Sequence, residues 1–115
     1  FQQAIDAMGM GKQVTTFTAS EFGRTLTSNG NGSDHGWGGH HLVMGGAVRG
    51  GRLYGSHPDI DVAGPGFVDH GRMLPSTSVE TFAATLGGWF GASAGDLNDI
   101  FPALREFGAR KAGFV

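Results

Sequence analysis

The clearest periodicity in this chain lies toward its C-terminal end. Val79, Phe82, Ala83, Leu86, Trp89 and Phe90 recur at steps of three and four, which predicts a helix with one apolar stripe. Thr77 with Glu80 three places on reads as the capping box that starts it, and Gly91 closes it. Ser93 opens a shorter helical stretch, Ala94 to Ile100, which Pro102 ends. The first eight residues, Phe1 to Met8, show the same spacing and stop at Gly9-Met10-Gly11. A different pattern follows. The β-branched run Val14-Thr15-Thr16-Phe17-Thr18 predicts a strand, and a helix feeding a strand through a short turn is half of a βαβ unit. Leu42-Val43-Met44 and Ala47-Val48 read as a second strand interrupted by a bulge at Gly45-Gly46. Gly50-Gly51 is a turn and Arg52-Leu53-Tyr54 a short returning strand, whereas residues 25–32 and 56–74 carry no period and read as loop.

Composition narrows the picture. There are 115 residues, 39% of them apolar, enough for a core. The formal net charge of -2 provides no basic field for nucleic acid. Glycine is the outlier, with 22 residues crowded toward the middle of the chain, where they demand tertiary support. Cysteine is absent, so any metal site must use nitrogen and oxygen donors. No apolar run approaches the roughly 18 residues of a membrane span. The opening helix has no capping residue, initiator Met or signal segment before it. The chain therefore reads as the C-terminal portion of one larger domain, residues 1–115, with the remainder of its own chain as its first partner.

Candidate chemistry gathers where the first strand ends. Glu21 and Arg24 stand at that end, and Asp34, His35, His40 and His41 follow within a short glycine-rich stretch. If the glycines let the loop fold back, Glu21, Asp34 and His35 could share a divalent ion. Arg24 could grip an anionic substrate with its guanidinium fork, or pair with Glu21 as a structural ion pair. Asp34 could equally be a turn residue with His35 merely exposed. Extended backbone sends His40 and His41 in different directions, so one at most joins; His40 is taken as substrate-binding. His57 and His70 read as solvated loop residues, Trp37 as a pocket wall or a cover for the sheet edge. Asp34-His35-Gly36 and Asp69-His70-Gly71 match in letters only.

Three stretches carry a family resemblance: Thr18-Ala19-Ser20-Glu21-Phe22-Gly23-Arg24-Thr25, Asn29-Gly30-Asn31-Gly32-Ser33-Asp34-His35, and Gly45-Gly46-Ala47-Val48-Arg49-Gly50-Gly51. Together with Leu74-Pro75-Ser76-Thr77-Ser78-Val79, Ala84 to Gly91 and Ile100 to Leu104, they resemble a bacterial family of uncharacterised, exported proteins with a twin-arginine signal, alkaline-phosphatase-like or sulfatase-like in type. The resemblance implies an α/β fold, a partial alkaline-phosphatase-like sheet flanked by helices, and periplasmic or exported localisation. It implies a binuclear metal site of zinc, with manganese or calcium as alternatives, acting on small anionic phosphate or sulfate esters. In the wider superfamily a strand ends in Asp-His, both ligands; the resemblance sets Glu21-Phe22 there, and phenylalanine binds no metal. An alternative registration matches Ser33-Asp34-His35-Gly36 to that motif by letters, but it follows Ser28 to Gly32, which do not read as a buried strand. The superfamily's Ser or Thr nucleophile has no counterpart in this sequence. A non-catalytic exported binding or accessory protein with an eroded site is the other expectation.

Overall fold

The computed structural model describes residues 1–108 and 111–115. It is mixed α/β, built from short helices and three two-stranded sheets among the described residues. The chain divides into two compact units, residues 1–16, 43–55 and 77–115 in the first, residues 17–42 and 56–76 in the second.

The first unit holds helix α1 (Gln2–Ala7), strand β1 (Thr15–Phe17) up to Thr16, and strand β4 (Val43–Gly45), with which β1 pairs. Its larger helices are α2 (Val79–Phe90) and α3 (Ala94–Ile100), followed by a 3-10 turn over Pro102–Glu106. Ala84 of α2, Leu97 of α3 and Leu104 of the 3-10 turn are buried together, with Ala92 and Phe101 against them. Fully burying a leucine contributes about 2 kcal/mol, which is why a helix as short as α3 holds its place. Phe114 is buried on the ring of Phe82, centroids 5.5 Å apart, and meets Tyr54 edge-on at 5.9 Å. Inside α2 the buried Thr85 hydroxyl donates to the Thr81 carbonyl at 2.7 Å and accepts from the Ala112 amide at 2.7 Å. That single side chain ties the last residues of the chain to the helix.

The helix starts differ from the reading of the sequence. Ser78, not Thr77, caps α2: its hydroxyl accepts from the Thr81 amide, and with the cap one place later Glu80 cannot reach back. The reciprocal capping box belongs to α3, where Ser93 and Asp96 satisfy each other's amides. Hydrogen bonding from the Ser93 side chain, then from its backbone, holds the Asp96 carboxyl below the usual aspartate range. The apolar stripe of α2 is also narrower than expected. Ala84 and Thr85 face inward, but Val79 and Phe90, at the two ends, lie open to solvent.

The second unit is where the sequence was hardest to read. Residues expected to be loop form an antiparallel hairpin, β2 (Gly23–Ser28) with β3 (Ser33–Gly36), Arg24 opposite His35 and Ser28 opposite Ser33. Its turn is built by Asn29, whose side-chain oxygen accepts from the Asn31 amide, and by Gly30 and Gly32 at φ of 90° and 140°. The stretch 56–74, also expected to be loop, contains a second antiparallel pair, β5 (Phe67–Val68) and β6 (Arg72–Met73). The Leu26 amide donates to the Gly71 carbonyl at 3.0 Å, joining the two hairpins. Polar, period-free residues become strands here because each strand finds its backbone partners across its own hairpin; no apolar alternation announces that. Conversely, Ala47-Val48 and Arg52-Leu53-Tyr54, read as strands, are turn and irregular backbone. No helix among the described residues is long and apolar enough to cross a membrane.

Candidate functional site

Every candidate ligand belongs to the second unit. Glu21 lies exposed at the bend before β2, and its carboxylate has no partner among the described residues. The Glu21–Arg24 ion pair considered from the sequence is not made. Arg24 instead donates from Nη1 to the Ser33 carbonyl at 2.8 Å and lays its guanidinium carbon 5.1 Å from the Phe22 ring centre. His35 faces Arg24 across the hairpin and stacks on Phe22, centroids 3.6 Å apart and planes within 16°. The Phe22 phenyl therefore works as a platform, holding an imidazole by stacking and approached by a guanidinium. Stacking uses the faces of the imidazole and leaves its in-plane nitrogens open; neither has a hydrogen-bond partner among the described residues.

Asp34 is held differently. Its amide donates to the Thr25 hydroxyl at 3.0 Å, and its Oδ1 accepts from Asn29 Nδ2 at 2.8 Å. Asp34 and His35 are successive residues of β3, and successive side chains of a strand leave on opposite faces. The backbone thus sets the carboxylate toward the Asn29 turn and the imidazole toward Phe22 and Arg24. No three His, Asp or Glu side chains gather into a metal-holding group among the described residues. Glycine makes this packing fit: a Cβ on Gly23 would run into the Gly38 carbonyl, and one on Gly36 would press on Arg24's backbone.

The remaining histidines separate. His41 Nδ1 lies 3.3 Å from the Thr18 hydroxyl, which also accepts from the Leu42 amide. His40, expected beside the substrate, stacks with His57, centroids 5.4 Å apart and planes within 22°. Trp37 is exposed.

One constellation escaped the sequence reading. In the turn between β5 and β6, Asp69 and His70 both adopt left-handed backbone, φ of 26° and 56°, followed by Gly71 at 76°. Such a conformation costs a non-glycine residue about 1–2 kcal/mol. Asp69 accepts from His70 Nδ1 with one carboxylate oxygen and from Arg72 Nη1 with the other, and its carbonyl accepts from Arg72 Nη1 at 3.0 Å. The signal available was Asp-His-Gly, residues tolerant of left-handed backbone, but the same letters at Asp34-His35-Gly36 form extended strand. The first triplet lies in a strand ladder and the second closes a turn.

Residues 1–102 match the model of a family described as Protein of unknown function (DUF1501). No curated protein and no solved structure matches the chain.

Proposed function

The chain belongs to that family of uncharacterised proteins, and from this premise we propose that it is part of an alkaline-phosphatase-like, metal-dependent hydrolase of phosphate or sulfate esters. The observation that carries the reading is the end of the β2–β3 hairpin, where Arg24 and His35 lie opposite each other on the Phe22 platform with no carboxylate among the described residues paired to the guanidinium. An unneutralised guanidinium beside an open imidazole recognises a tetrahedral oxyanion.

Glu21, Asp34 and His35 have the right donor chemistry for zinc, a carboxylate and imidazole set, and Glu21 and His35 offer unoccupied donor atoms. They are a partial set, to be completed by groups outside the described residues. Asp34, turned to Asn29, would act from the outer shell or after rotating its side chain. A divalent ion there supplies polarisation of the ester oxygen and a lowered pKa for the attacking group. Arg24 would hold the anionic end of the ester, and Phe22 would keep His35 from swinging away. Export through a twin-arginine signal belongs to the same reading.

The test is elemental analysis of the intact protein with turnover of p-nitrophenyl phosphate and p-nitrophenyl sulfate. Zinc, manganese or calcium in stoichiometric amount, lost in Glu21→Ala and His35→Ala, is expected; protein free of resident metal refutes the hydrolase. The second reading is a non-catalytic exported binding protein, favoured by Glu21-Phe22 standing where the resemblance leads one to expect Asp-His. Stoichiometric metal with no turnover would favour it.

A further inference from the structure

We propose that His40 and His57 form a separate two-imidazole site for a late divalent transition ion: copper, nickel or zinc. The two residues are 17 positions apart, yet their rings lie 5.4 Å apart, centroid to centroid. Two imidazoles on one tetrahedral ion have their centres about 5 Å apart, given metal–nitrogen bonds of about 2.0–2.1 Å. His57 Nδ1 lies 2.7 Å from the Pro58 carbonyl. A carbonyl only accepts, so that nitrogen carries the proton and the neutral ring keeps its lone pair on Nε2. This is the arrangement that fixes a ligating histidine, its second nitrogen donating to a backbone oxygen. His40 has no hydrogen-bond partner among the described residues, so either nitrogen is open. Both side chains are exposed. Ions can reach them, water can complete the coordination, and the His40 ring, which no hydrogen bond among the described residues holds, turns from face-to-face to edge-on against the fixed His57, as shared ligation requires.

Imidazole-only ligation selects copper, nickel and zinc over magnesium and calcium, and copper binds tightest of the divalent series. The site is independent of Glu21, Asp34 and His35, so it stands or falls apart from the hydrolase reading.

The experiment adds substoichiometric Cu2+ to the intact protein and follows the imidazole signals in long-range proton–nitrogen correlation spectra. Paramagnetic broadening of His40 and His57 ahead of His35, His41 and His70 is expected. In a parallel Ni2+ titration by calorimetry, His40→Gln and His57→Gln should each weaken binding by at least about tenfold, since outer-shell partners alone account for 10–100-fold. Glu21→Ala should leave this event unchanged. Equal broadening of all five histidines, broadening of His35 alone, or Ni2+ affinity unaltered in both glutamine variants would overturn the proposal.

Discussion

Replacing Thr85 with valine keeps the side-chain shape and deletes one oxygen, and the structure fixes what that oxygen does. Thr85 is 2% exposed, so water cannot take its place. Its hydroxyl accepts from the Ala112 amide and donates to the Thr81 carbonyl, each at 2.7 Å. The Thr81 carbonyl loses little, because the helical ladder supplies it with another donor. The Ala112 amide loses its partner, and an orphaned donor costs about 1–3 kcal/mol. The extra buried methyl of valine returns part of this, leaving a net destabilisation of about 1–2 kcal/mol, roughly 5–30-fold in the folding equilibrium. Urea denaturation followed by circular dichroism measures the change, and amide hydrogen exchange at Ala112 locates it. Thr85→Ser keeps the oxygen, so it should retain Ala112 protection even though it loses a methyl. Unchanged stability in the valine variant, or equal Ala112 protection in all three proteins, would show that this hydroxyl does not hold the final segment.

Two further outcomes follow from local geometry. Gly71→Ala places a Cβ 2.9 Å from Thr27 Oγ1 on left-handed backbone at 76°, so it should destabilise by about 1–3 kcal/mol and lower the melting temperature; an unchanged melting temperature would show that the turn relaxes freely. Because Ser93 holds the Asp96 carboxyl below its ordinary range, its contribution is full above the unfolded aspartate value near about pH 4 and fades as pH falls through the lower folded value. Asp96→Asn should therefore be less stable than the parent at neutral pH, with the gap closing in acid; a gap constant from pH 7 to the acid limit of about pH 2 would contradict the assignment.

The helices were legible because their signals are local. Ser93 ahead of Ala94, Gly91 after Phe90 and the spacing from Phe82 to Leu86 each act within a few residues, so α2 and α3 lie within a residue or two of where the pattern put them. The register of the cap was less legible, since Thr77 and Ser78 are both capping residues and packing chose the second. Membership of a family of uncharacterised proteins was legible too, whereas the alkaline-phosphatase-like character belongs to the proposal.

The hairpins were decided by tertiary structure alone. Gly23 to Gly36 is polar and glycine-rich, and what makes it strand is a partner ladder closed by Asn29 and buttressed at Leu26 by Gly71, a residue 45 places away. That pairing also decided the chemistry. Glu21, Asp34 and His35 were named by type, but strand alternation separated Asp34 from His35, and cross-strand register put His35 against Arg24 on Phe22. Likewise nothing near His40 announced His57, and identical Asp-His-Gly letters became strand in one place and strained turn in another. Residue type sets which bonds a side chain can make, and that much is written in the sequence. Which partner it meets depends on long-range backbone pairing, whose energy belongs to both strands at once.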